Sequence, residues 1–183
     1  TVNCIGACAL GPVVVIDQHY YKAEPGKVDR LFKDSAEGET LAAVRAACEI
    51  PADEVSRSRF AGGTVSVTVC GGTGCQAYGC EAVAQAIEAE LGRIGIRDSV
   101  RFVQTGCRGF CEKGPIVVVQ PEDYFYERVT VRDVCEIVEK SVVGGQAVER
   151  LLYRLPATEQ PVLHEEEIPF YANQDRIVFG DNG

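Results

Sequence analysis

Four cysteines constrain this chain more than any other feature: Cys70, Cys75, Cys107 and Cys111, spaced C-x4-C, a long gap, then C-x3-C. Each pair follows directly on an apolar run, TVSVTVC before the first and SVRFVQTGC before the second. Runs rich in β-branched and aromatic residues form strands. The pattern therefore places two thiol-bearing loops at the same end of neighbouring strands, where four sulfurs can converge on one small object. Glycines at 71, 72, 74, 106 and 109 let the backbone wrap closely and turn N–H groups toward it.

Cysteine number and spacing narrow what that object is. Nine cysteines is an odd count, and no stretch of these residues resembles a signal peptide, so a disulfide framework is a poor reading. Cysteines in short-spaced loops point to metal in a reducing compartment, and hence to a cytoplasmic protein. A 2Fe–2S cluster needs four thiolates around two tetrahedral irons, and two loops giving one pair each supply them. Structural zinc sites often use C-x2-C knuckles, whereas the spacings here are x4 and x3. The C-x-x-C of a redox dithiol is absent from the sequence. Zinc and two buried structural thiol pairs remain as alternatives to the cluster. Cys48, Cys80 and Cys135 read as small apolar core residues, with Cys80 kept open as a substitute for Cys75. His19 and His164 have no ligand spacing and read as surface residues. The run Glu165, Glu166, Glu167 reads as a solvated face.

The remaining composition excludes several classes. A formal net charge of −9 argues against nucleic acid or an anionic membrane as partner, because phosphate binding needs a basic face. No apolar run reaches the length of a bilayer span, so no membrane insertion is expected. No glycine-rich phosphate loop of the dinucleotide-binding kind is present; GGTG at 71–74 belongs to the first cysteine loop.

Taken in order, the chain divides into four parts. Residues 1–35 carry CIGACALGPVVVI, which aligns without gaps on CRGFCEKGPIVVV 103 residues later. Tyr20-Tyr21 then matches Phe125-Tyr126, and Val28 matches Val134. Two copies of one module are expected, the first represented only by its C-terminal half. Residues 36–63 form a linker, with two helical turns near 41–48 and an exposed aperiodic stretch, ADEVSRSRFAGG. Residues 64–143 form the complete module: strands near 65–69, 100–103, 116–119 and 124–129, with helices over 82–91 and 131–142. The order is β-α-β-β-α, an α/β (α+β) class domain whose first strand alternates with one face in the core. Residues 144–183 are Pro-broken and acidic, with isolated anchors at Ile168, Phe170 and Tyr171. They are expected to pack on something larger. The first residue is Thr1, so a trimmed chain or a piece of a longer polypeptide is expected.

The residues VCGGTGCQAYGCEAV, TGCRGFCEKGPIVVV and FYERV resemble the thioredoxin-like 2Fe–2S ferredoxin domain. More narrowly they resemble the N-terminal domain of the flavoprotein subunit in NAD(P)-linked hydrogenases, formate dehydrogenases and related NADH dehydrogenases. AVERLLYR and EEIPFYANQDRIVFGDNG resemble the connector of that subunit, and CIGACALGPVVVID the second half of its partner subunit. The resemblance implies a thioredoxin-like fold, with Cys70, Cys75, Cys107 and Cys111 as cluster ligands and Cys4 and Cys8 as half of a second 2Fe–2S site. It implies one-electron relay within an NADH-dependent, diaphorase-type oxidoreductase, with no catalysis by this segment alone. Its partners would be other subunits of a multi-subunit redox complex and a downstream FMN- and NADH-binding domain. FMN, NAD and 4Fe–4S motifs do not occur in these 183 residues, so those groups are expected only downstream. The alternative function is a structural or docking module with an empty or zinc-filled cysteine site.

Overall fold

The computed structural model describes residues 57–60 and 65–174, together with the backbone of residues 13–16 and 19–22. The β-branched run after Pro12 forms strand β1 (Val13–Ile16), which pairs antiparallel with β2 (His19–Lys22). Expectations for Cys4, Cys8, Cys48 and most of the linker lie outside the described residues, as does the side chain of His19.

The aperiodic stretch expected to be exposed behaves differently where it is described. Arg57–Phe60 forms a 3-10 turn, and Phe60 is buried in the core. Arg59 donates to the Val142 carbonyl at 2.8 Å and to Glu122 at 2.7 Å, tying this turn to the far end of the module. Four residues carry no readable period, so these tertiary contacts left no mark in the local pattern.

The alternating valines at 65, 67 and 69 begin the main sheet. Strand β3 (Ser66–Cys70) is buried along its whole length, including Ser66 and Thr68, which the alternation had placed outward. Its position explains this. It runs in the middle of a four-stranded sheet ordered β4-β3-β5-β6, parallel to β4 (Arg101–Thr105) and antiparallel to β5 (Val117–Gln120). The Ser66 hydroxyl is satisfied by a 2.8 Å hydrogen bond to Gln120 Oε1. Strand β6 (Tyr124–Tyr126) follows β5 in an antiparallel hairpin.

Between β3 and β4 lie a short helix α1 (Thr73–Ala77) and the longer α2 (Cys80–Arg93). Val83, Ala84, Ala86, Ile87 and Leu91 give α2 one buried face, which packs on β3. The helix ends in a Schellman motif: Ile96 N–H donates to Leu91 C=O at 3.0 Å and Gly95 N–H to Gly92 C=O at 3.2 Å. Gly95, at φ 72°, occupies the left-handed position that motif requires. After β6 the chain enters a composite helix. It begins as a 3-10 turn (Val131–Asp133), continues as α3 (Val134–Glu136) and finishes as a π-helix (Ile137–Val143). A capping box between Thr130 and Asp133 starts it, with Thr130 N–H on Asp133 Oδ2 at 2.7 Å.

The described part of the C-terminal arm packs on this module itself. Strands β7 (Tyr153–Arg154) and β8 (Pro161–Val162) pair with each other. Leu152 bridges Tyr126, and the N–H groups of Phe125 and Glu127 donate to the Leu163 and Leu151 carbonyls at 2.9 Å each. The arm thus covers the outer edge of β6, which would otherwise present unpaired backbone. Val148, Leu151, Leu152, Tyr153, Val162, Ile168 and Tyr171 all enter the same core as the sheet. Among the described residues no helix is long and apolar enough to cross a membrane.

Candidate metal centre

Parallel pairing of β3 with β4 brings the two cysteine loops to one end of the sheet. Cys70 is the last residue of β3 and stands in register with Thr105, the last residue of β4. Cys107 follows two residues after β4, and Cys111 opens a 3-10 turn (Cys111–Lys113). Cys75 sits within α1, so a helix rather than a loop carries the second thiol of the first pair. Gly71 N–H donates to Thr105 C=O at 2.9 Å, extending the ladder one step past the strand ends.

The two loops then interlock through missing side chains. A Cβ on Gly72 would stand 2.8 Å from Cys107 Cβ and 3.0 Å from its Sγ. One on Gly74 would stand 2.7 Å from Cys111 Cβ and 3.0 Å from its Sγ. Contacts that short do not occur between real side chains, so the first loop approaches the second cysteine pair only because these positions are glycine.

Within this arrangement the thiols form two pairs. Cys107 Sγ and Cys111 Sγ are 3.8 Å apart. The Cys70 and Cys75 thiols act on each other, and Cys70 Sγ lies 3.6 Å from the Gly106 carbonyl oxygen of the second loop. Backbone N–H groups converge on the sulfurs: those of Arg108 and Gly72 on Cys70, that of Ile116 on Cys75, and that of Gly109 on Cys107 at 3.3 Å. Donors aimed at sulfur stabilise the thiolate and tune any metal it holds.

Titration within the site follows from that geometry. The Cys75 side chain pulls the Cys70 thiol down, against burial and with help from the Arg108 and Gly72 N–H groups. Cys75, acted on by Cys70 and itself buried, is pushed up. Burial and the neighbouring Cys107 and Cys70 sulfurs raise Cys111 to about 11. The metal-free site therefore retains protons at neutral pH that a bound metal would displace.

The donor set fits a binuclear iron–sulfur group. Tetrahedral metal–sulfur bonds of about 2.3 Å put two sulfurs on one metal about 3.8 Å apart, the spacing of Cys107 and Cys111. A 2Fe–2S cluster takes two protein thiolates per iron, matching two pairs. Among the described residues no group of three or more His, Cys, Asp or Glu side chains gathers as a metal site; the four cysteines stand as two pairs.

The other residues considered from sequence have varied surroundings. Cys80 opens α2, is fully buried, and has its thiol pushed up to about 12 by burial and by the charges of Cys70 and Glu81. Cys135, expected to be a free packed thiol, is half-buried and disulfide-bonded. His164 is half-buried rather than on the surface. Glu165, expected in a solvated run, forms an ion pair with the buried Arg108, next to Cys107; Glu166 and Glu167 are exposed. Nothing local signalled Arg108 or Phe110 as supports of the site, because their partners Glu165, Tyr153, Phe170 and Tyr171 lie far along the chain.

Residues 58–141 match the family model described as thioredoxin-like [2Fe-2S] ferredoxin. The chain is 39% identical over 77 residues to a "Ferredoxin, 2Fe-2S" of Clostridium pasteurianum, spanning 42% of this chain and 76% of that one. It is 52% identical over 48 residues to a "Ferredoxin, 2Fe-2S" of Aquifex aeolicus, spanning 26% of this chain and 43% of the other. A crystal structure of the wild-type thioredoxin-like [2Fe-2S] ferredoxin from Aquifex aeolicus superposes with TM-score 0.44 at 35% identity, covering 48% of this chain and 93% of that one. At 39% identity over 76% of the Clostridium pasteurianum ferredoxin, with residues 58–141 matching the family model, the chain belongs to the thioredoxin-like [2Fe-2S] ferredoxin family.

Proposed function

We propose that Cys70, Cys75, Cys107 and Cys111 hold one 2Fe–2S cluster and that the module relays single electrons. The observation that carries this reading is the pairing of four thiols at one sheet end, with Cys107 and Cys111 at the tetrahedral sulfur spacing. A bound cluster would supply one-electron acceptance and release. The chain's own contribution is position and environment. The β3 and β4 ends fix two thiols, α1 and the turn at 111–113 fix the others, and backbone N–H groups stabilise the thiolates. Gly72 and Gly74 close the two loops together and reduce solvent at the sulfurs.

The wider reading is an electron relay in an NADH-dependent, diaphorase-type oxidoreductase, with domains 1–35, 36–63, 64–143 and 144–183 as expected from sequence. The internal repeat supports its two-module part. In β1–β2, Val15 faces Tyr20 and Val14 faces Tyr21; in β5–β6, Val118 faces Phe125 and Val117 faces Tyr126. These are the pairs that the sequence alignment equates. Cys4 and Cys8 would then be half of a second site, completed by a cysteine pair from elsewhere. NADH, FMN and the partner subunits would belong to a larger assembly.

Iron and acid-labile sulfide analysis tests the proposal. This segment should hold two irons and two sulfides, and a polypeptide extended upstream through a complete first module should hold four of each. The segment alone should neither bind FMN nor oxidise NADH, but should take up one electron per cluster from a chemical reductant. One zinc and no iron would instead favour a docking module.

A further inference from the structure

The second cysteine loop is held from outside the module as well as from within. Arg108, between Cys107 and Gly109, directs its backbone N–H to Cys70 Sγ while its buried guanidinium pairs with Glu165 of the arm. Two residues on, the Phe110 ring stacks on Phe170 with centroids 4.2 Å apart and planes 10° from parallel. It also meets the edge of Tyr171 at 5.7 Å. Lys113, at the end of the same loop, lies 5.0 Å from the Tyr153 ring centroid. The arm residues in these contacts come after position 141, beyond the stretch shared with the family.

We propose that Glu165 and Phe170 are positioning residues, a clasp that acts through Arg108 and Phe110 to hold the Cys107–Cys111 loop in place and limit water at its sulfurs. The physical case rests on where the loop's anchors are. This loop has an intermediate exposure at Cys107 and Cys111, unlike the buried Cys70 and Cys75. Its glycine at 109, with φ 88°, gives it backbone freedom that must be restrained by contacts elsewhere. The stacked aromatic pair and an ion pair with one partner buried supply that restraint; aromatic pairs of this kind add to area burial. Releasing the arm would let the loop open locally without unfolding the sheet.

The inference rests on reading these thiols as cluster ligands, and its test separates the two. In the full chain, Glu165→Gln, Phe170→Ala and the double variant are compared with Ile94→Val, a core change at the opposite end of α2 from Cys80. Two rates are measured: iron release to a chelator from the loaded chain, and iodoacetamide alkylation of Cys107, Cys111 and Cys80 in the metal-free chain. The double variant should raise iron release and alkylation of Cys107 and Cys111 about tenfold, a local opening made easier by roughly 1.4 kcal/mol. Cys80 should stay protected, and Ile94→Val should leave both rates near those of the parent. Unchanged rates in the double variant, an equal rise at Cys80, or an equal effect of Ile94→Val would overturn the clasp. A chain that holds no iron would contradict the cluster reading, and the alkylation rates would still decide the clasp.

Discussion

A Cβ on Gly114 would stand 2.6 Å from Cys75 Sγ. A glycine just past the 3-10 turn that Cys111 opens therefore leaves the space in which a thiol of the first pair lies. Gly114→Ala should push Cys75 out of position and abolish or severely reduce cluster content, read as visible absorbance per chain. Gly92→Ala provides the contrast. Gly92 lies in α2 with open space around it, and alanine there should stabilise the fold by about 0.5–1 kcal/mol in denaturant titration with cluster content unchanged.

Tyr126 joins the sheet to the closing helix and the arm. Its hydroxyl lies 2.6 Å from Ser141 Oγ and accepts the Val148 N–H at 3.0 Å, while Ser141 Oγ donates to the Gln146 carbonyl at 2.9 Å. The hydrogen bonds of the Tyr126 hydroxyl to Ser141 and Val148 are buried, so Tyr126→Phe strands the Val148 N–H and should cost about 1–3 kcal/mol in equilibrium unfolding. Its cluster spectrum should match the parent, because the network lies away from the cysteine loops.

Asp133 should govern part of the acid limb of stability. Burial works to raise its carboxyl, but hydrogen bonds from Thr130 and the charge of Arg150, 2.6 Å away, outweigh it and hold the group below its usual range. A depressed folded pKa contributes stability that is fully present above the unfolded value of about 3.9 and is lost as pH falls through the folded one. Asp133→Asn should therefore be less stable than the parent by about 0.5–2 kcal/mol near neutrality. The gap between the two should narrow below about pH 4. A gap independent of pH would contradict this assignment.

The metal-free chain should weaken in alkali. Cys111 is pushed up to about 11 by burial and by Cys107, whereas an unfolded thiol ionises near 8.5. The unfolded chain loses this proton first, so stability is fully present below about pH 8.5 and falls as pH rises toward the folded value. Urea unfolding at pH 7.5, 9 and 10 should show that decline in the metal-free chain, and Cys111→Ala should lessen it while leaving the share that the raised thiols of Cys75 and Cys80 contribute.

Much of the fold was readable because strand and helix periods are local. Val65, Val67 and Val69 announced β3, and Ala82 through Leu91 announced α2, with boundaries displaced by only a few residues. Other features depended on the three-dimensional partner. Ser66 and Thr68 alternate like outward residues, yet the central position of β3 buries them. Arg59 gives no periodic signal; its hydrogen bonds run to Glu122 and the Val142 carbonyl. The arm's anchors were visible as apolar residues, but their seat on Phe110 and Phe125 was not. Likewise, spacing could show that four cysteines belong together without showing that Gly72 and Gly74 make room for Cys107 and Cys111. Cysteine count gave no hint of the disulfide at Cys135, because a disulfide partner is chosen by tertiary proximity.

The most direct measurement is iron, acid-labile sulfide and reduced-state EPR on residues 1–183 and on single serine variants. Two irons, two sulfides and one unpaired electron per reduced chain are expected, with the signal lost or strongly altered by Cys70→Ser, Cys75→Ser, Cys107→Ser or Cys111→Ser. Cys80→Ser should keep it. A colourless chain holding one zinc, or a cluster that survives Cys70→Ser but not Cys80→Ser, would contradict the account.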